Sequence, residues 1–192
     1  MLKINVHAID GFNDKQVERI KLALDLVEKA VNSPLFRTKI LNYEHKEVAS
    51  VSGALWWKKY TYKTVPGFYF AKGEQFYSNE EIYSKIMSGS ELMTPETDNE
   101  ADYWIKSAFS RFKTSATAYG YPGDKVIYVY GWWVNSASIE QLANTLFHEW
   151  LHKVCFEHEF NRSAYRDYSV PYGAGDALQE VIEAYPEWSE VK

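Results

Sequence analysis

Residues 139–158 read IEQLANTLFHEWLHKVCFEH, and the reading of this stretch organises the rest of the chain. Ser138 and Gln141 form a capping box, in which each side chain takes up a free backbone N–H of the other residue, so a helix begins at Ile139. At ~100° per residue, Ile139, Leu142, Ala143, Leu146, Trp150 and Val154 fall on one face of that helix. His148 and His152 lie nearly opposite, one turn apart on the same side. The apolar stripe therefore anchors the helix, and the two imidazoles look into a cleft or into water.

Three of the chain's five histidines lie between residues 148 and 158. The spacing His148-Glu149-x-x-His152 suits a zinc ion, which takes imidazole nitrogens at ~2.0–2.1 Å. Glu149 cannot ligate together with them, but it reaches a water on such a metal and can take its proton as general base. A catalytic zinc uses three protein ligands and keeps a fourth position open. His158, six residues beyond His152, is the third donor preferred here. In a continuous helix it would project roughly 100° or more away from the other two, so the chain must turn between Lys153 and Phe156. Cys155 as thiolate, or Glu180 or Glu183 in DALQEVIEAY, are the other candidates for the third position.

The eleven residues HEWLHKVCFEH resemble the motif HExxHxxGxxH of the metzincin clan of zinc endopeptidases at every position except the glycine, which is Cys155 here. Similarity is greatest to astacin-like members, through Phe156, Glu159 and Arg162. The resemblance implies one catalytic zinc on His148, His152 and His158, Glu149 as base, and a peptide or protein substrate. It further implies a turn beneath the metal. Ser169-Val170-Pro171-Tyr172 resembles that turn, with Pro171 in place of the clan's Met, and Tyr172 would then donate a hydrogen bond to the tetrahedral intermediate. The same four residues also read as a rigid surface turn. By the same resemblance the strand GWWV, residues 131–134, is where the substrate backbone pairs. Glycine adopts positive φ freely, whereas a Cys there costs about 1 kcal/mol or more, a strain that zinc binding can offset.

Around this motif the sequence reads as follows. KINVHAI (3–9) is a strand ended by Asp10-Gly11, and residues 14–33 form an amphipathic helix capped by Asn13 or Asp14 and stopped by Ser33-Pro34. Segments 47–57 and 60–70 are strands joined by a turn. A capping box at Ser78 and Glu81 opens a helix ending near Gly89, and residues 88–100 form a polar surface loop. ADYWIKSAFSRF (101–112) reads as another helix, YGYPGD (119–124) as a turn, and KVIYVYGWWV (125–134) as the strongest strand.

These elements describe an α+β domain over residues 1–192, with a twisted mixed sheet, a long N-terminal helix and the motif helix. The resemblance makes it metzincin-like, divided near residue 155 into an upper part and a small C-terminal part, 156–192. Composition narrows the partners. The net charge of −5, with no long Lys/Arg run, lacks a nucleic-acid footprint. No stretch approaches the ~18 apolar residues of a membrane span, so no membrane is expected as a partner. A single cysteine excludes an intramolecular disulfide, and the N-terminus lacks a secretory pattern, so an intracellular location is the default. Fifteen Tyr, ten Phe and seven Trp can fill a core or line a groove, and composition does not apportion them. Two further functions remain open beside the peptidase: a zinc-stabilised module without catalysis, and a zinc amidase acting on a non-peptide or cell-wall substrate.

Overall fold

The computed structural model describes residues 1–54, 56–109, 116–121, 123–159 and 163–189. The chain forms β1 (Lys3–Asp10), α1 (Asp14–Val31), α2 (Pro34–Leu41), β2 (Glu44–Ser52), β3 (Lys59–Pro66) and α3 (Asn79–Ser88). It continues with β4 (Glu100–Ala108), β5 (Ala118–Tyr119), β6 (Val126–Tyr130), α4 (Gly131–Ser136), α5 (Ile139–Val154) and α6 (Val170–Glu183). The α+β class holds. The main sheet is mixed, in the order β1-β4-β6-β5, with β1, β4 and β6 parallel and β5 antiparallel at the edge. The strands β2 and β3 form a separate antiparallel ribbon.

Local signals account for most of these boundaries. Asn13 and Gln16 form a capping box at the start of α1, and Ser78–Glu81 and Ser138–Gln141 do the same for α3 and α5. Gly89 ends α3 with φ of 71°, where a Cβ would collide with the backbone of Glu100. Ser33-Pro34 does stop α1, but it also starts α2: the Ser33 hydroxyl accepts from the Phe36 N–H, and Pro34 occupies the first turn.

Residues 101–112 and 125–134 differ most from the sequence reading. Residues 101–112 were expected to be helical, yet Glu100–Ala108 is the strand β4, paired in parallel with β1 on one side and β6 on the other. Its period is two: Ala101, Tyr103 and Ile105 are buried, and the residues between them are not. Backbone pairing on both sides overrides a helix reading of a segment rich in Tyr, Trp and Ile. The expected strand 125–134 is only half a strand. After Tyr130 the chain becomes α4, whose carbonyls are taken by α1: Gln16 donates to the Gly131 carbonyl and Arg19 to those of Val134 and Ala137. Thus GWWV is helical and offers no edge to a substrate.

One hydrophobic cluster runs from Leu2 to Ile182 and includes Ile20, Leu24 and Val27 of α1, Leu146, Phe147 and Trp150 of α5, and Leu178 and Val181 of α6. The segment 88–100 is not merely a surface loop. Glu91 is buried, pairs with the Lys153 ammonium at 3.1 Å, and accepts from the Trp150 indole and the Asp102 N–H. A buried carboxylate supplied with a cation and two N–H donors is tolerable where an unpaired one is not. The result ties the C-terminal end of α5 to β4.

Candidate metal centre

The face of α5 that carries Leu142, Ala143, Leu146, Trp150 and Val154 is buried in the core. The opposite side is shielded rather than open to bulk water, since His152 is buried and His148 half-buried. The His148 and His152 ring centroids are 5.1 Å apart, as one helical turn dictates.

How His158 joins them follows from the end of the helix. The helix stops at Val154, and Cys155 takes φ of 123°, a left-handed conformation. The Phe156 N–H donates to the Leu151 carbonyl and the Cys155 N–H to the His152 carbonyl, the paired bonds of a Schellman turn. The Phe156 and Leu151 side chains are both buried in the hydrophobic core. Past this turn the His158 ring centroid lies 5.3 Å from that of His148 and 4.9 Å from that of His152. One nitrogen from each of the three rings falls within 4.8 Å of the other two.

Two of the imidazoles are oriented by backbone carbonyls. His152 Nδ1 meets the Phe156 carbonyl at 2.7 Å and His158 Nδ1 the Glu159 carbonyl at 3.1 Å, while the Pro171 backbone raises the His148 pKa against the larger effect of burial. A carbonyl accepts only, so the nitrogen facing it must carry the proton. In a neutral ring the other nitrogen then presents a lone pair. Neutrality is favoured as well. Burial, reinforced by the neighbouring imidazoles, holds His148 well below the ordinary histidine range. Burial and His158 push His152 down to about 4, and His158 itself is lowered chiefly by burial. Three converging neutral imidazoles, two of them held by a carbonyl behind the ring, are the donor set that a zinc ion takes.

Glu149, the residue after His148 on α5, is buried, and burial raises its carboxyl to about 8 against a lowering contribution from the Gly120 N–H. Gly120 follows the edge strand β5 directly. A Cβ there would come within 3.0 Å of the Glu149 carbonyl and 3.4 Å of its Oε2, so the strand end and the carboxylate approach as only glycine allows without adjustment.

Ser169-Val170-Pro171-Tyr172, read as a turn, is instead the entry to α6. Tyr172 sits in the first helical turn, with its ring centroid 4.5 Å from that of His148 and 4.9 Å from that of His158. The sequence GAGDA explains the approach. A Cβ on Gly175 would overlap the Asn144 side chain of α5, and one on Gly173 the Tyr43 ring, so small residues let α6 press against its neighbours. The alternative ligands point elsewhere. Glu180 binds Lys39, Glu183 accepts from Gln179, and the Cys155 sulfur lies 3.9 Å from the Tyr77 hydroxyl. None of them belongs to a metal-competent cluster among the described residues. Arg162, expected from the motif, lies outside the described residues.

Three contributors escaped the sequence reading. Gly120 was read only as part of a turn, and the Pro171 carbonyl carries no side-chain signal. Arg166, whose guanidinium lies 4.9 Å from the centroid of the Tyr172 ring, depresses the pKa of all three histidines with its charge. Comparison with family models, curated proteins and solved structures returns no match to this chain.

Proposed function

We propose that the protein is a zinc-dependent endopeptidase, with His148, His152 and His158 holding the ion and Glu149 serving as general base. One observation carries the reading: one nitrogen from each of three imidazoles lies within 4.8 Å of the other two, and Glu149, which follows His148 on α5, is buried without being part of that cluster. A site built only to stabilise the fold closes with a fourth protein ligand and has no use for a neighbouring base, which favours catalysis over a structural module. When bound, zinc supplies Lewis acidity, lowering the pKa of water from 15.7 to roughly 7 and polarising a carbonyl.

The chain's own groups do the rest. Glu149 takes the proton of the attacking water and returns it to the departing amine nitrogen. The Gly120 N–H holds the carboxylate in place for both transfers. Tyr172, on the rim formed with His148 and His158, donates a hydrogen bond to the oxygen on which negative charge develops. Since GWWV is helical, the sheet edge available to an extended substrate backbone is β5, adjacent to Glu149 through Gly120.

The test joins elemental analysis to a cleavage assay. Wild-type protein dialysed against metal-free buffer should retain about one zinc per chain and cleave unfolded protein substrates. Glu149→Ala should keep the zinc and lose the cleavage. Folded protein that neither carries zinc nor takes it up would overturn the reading. Cleavage of small non-peptide amides without cleavage of any peptide would replace it with an amidase.

A further inference from the structure

The ribbon of β2 and β3 stands apart from everything described above. Its base is fixed to the body: His45 is buried, its Nδ1 bonds the Gly67 carbonyl, and the Val48 N–H donates to the Tyr165 hydroxyl. Beyond that point every described residue from 49 to 64 is exposed. At ~3.3 Å per residue the tip reaches about 20 Å beyond its anchor. Trp56 and Trp57 occupy that tip, 93% and 76% exposed.

Cross-strand register sorts the rest into two faces. Val48 pairs with Tyr62 and, after a bulge, Val51 with Tyr60, so these four share one side. The other side is polar, with the Ser50 and Thr61 hydroxyls bonded at 2.6 Å and Glu47 paired with Lys63 at 3.1 Å. A projecting two-stranded ribbon is marginal by itself, and one that keeps an apolar face and two indoles in water is shaped for a contact.

We propose that this ribbon docks the protein onto an anionic lipid bilayer by inserting its Trp56–Trp57 tip and apolar face into the headgroup region. Charge selects that occupant. Residues 48–63 contain Lys58, Lys59 and Lys63 and no acidic residue, in a chain whose net charge is −5. An acidic body is repelled by an anionic surface. The ribbon holds the body about 20 Å away, beyond the screening length of ~8 Å at physiological salt, while its own lysines arrive at the lipid. Indole and phenol rings with neighbouring lysines are the groups that settle at the membrane–water boundary, rings inward and ammonium groups at the phosphates. This is peripheral docking. Among the described residues no helix is long and apolar enough to cross a membrane, so the expected absence of a membrane partner narrows to the absence of a helical span. The proposal does not depend on the peptidase reading.

Co-sedimentation with vesicles decides it, using phosphatidylcholine alone or with phosphatidylserine at about a third of the lipid. Lys63 leans on Glu47, which leaves Lys58 and Lys59 at about fivefold each, so roughly 25-fold stronger partition into the anionic vesicles is expected. Trp56→Ser with Trp57→Ser should weaken that partition by about tenfold or more while leaving the thermal transition and zinc content unchanged. Lys58→Glu with Lys59→Glu should remove the preference for phosphatidylserine. Equal binding to both vesicle types, or wild-type binding by both double variants, would overturn the proposal. So would self-association that the tryptophan variant abolishes without any lipid binding by the wild type, which would assign the face to a second copy of the chain.

Discussion

The C-terminal half of α5 and the outer half of the β2–β3 ribbon both concentrate aromatic and charged residues, and the structure treats them oppositely. From Glu149 to Val154 every side chain is buried, and the polar ones are each matched: Glu149 to the Gly120 N–H, His152 to the Phe156 carbonyl, Lys153 to Glu91. From 49 to 64 every described residue is exposed. The difference teaches where a substitution is felt. In α5 each residue holds another in position, so one change propagates into the site. In the ribbon the side chains answer to whatever the protein touches, and the fold scarcely notices them.

The sharpest way to break that contrast is to remove one of the three proposed zinc ligands. His152→Ala should reduce zinc from about one per chain to near zero after dialysis and abolish cleavage, because two imidazoles leave the ion short of its three protein ligands. Trp56→Ala in the ribbon should leave zinc content untouched. If His152→Ala retained stoichiometric zinc, the convergence of the three rings would have another cause. Next in size is Glu149→Ala, which should lower kcat/KM by about 10²–10⁴-fold at constant zinc, the usual contribution of a positioned base.

Stability provides the third comparison. Trp150 fills the core, stacks on Phe147 at 5.8 Å and donates its indole N–H to Glu91. Trp150→Ala should cost about 3–5 kcal/mol by denaturant unfolding. Trp57→Ala, at a position already in solvent, should fall within about 0.5 kcal/mol of wild type. Comparable losses at the two positions would mean that the ribbon tip is covered in solution.

How much of this was legible beforehand depends on how local each signal is. Capping boxes, the Ser33-Pro34 break and the apolar stripe of α5 are written in residues a few positions apart, and they placed α1, α3 and α5 but neither α2 nor α4. The motif named His148, Glu149 and His152, and the need for a turn before His158 followed from helix geometry alone. What failed was non-local. Residues 101–112 looked helical because nothing nearby says that β1 and β6 will flank them. GWWV looked extended because the Gln16 and Arg19 donors that claim its carbonyls lie more than a hundred residues earlier. The Gly120 N–H and Pro171 carbonyl reach the site through the backbone, which no side-chain pattern advertises. The ribbon was read as two strands over 47–57 and 60–70, where the structure has Glu44–Ser52 and Lys59–Pro66, and whether an alternating strand meets a core or water depends on what packs against it.

The smallest effect tests the most local inference. Cys155 holds φ of 123° at the position where a Schellman turn usually places glycine, and the chain must make that turn for His158 to face the other two rings. A side chain in this conformation costs about 1 kcal/mol, which glycine would not incur. Against that relief stand the loss of a half-buried thiol with a weak contact to Tyr77 and the greater freedom of glycine in the unfolded chain. Relief of strain should prevail. Cys155→Gly is expected to raise unfolding free energy by roughly 0.5 kcal/mol and to leave zinc content unchanged. Cys155→Val should lose about 1 kcal/mol or more, since a β-branched residue tolerates positive φ worst. A valine variant as stable as the wild type would show that the helix ends in another conformation in solution, and the route that brings His158 to its partners would have to be redrawn.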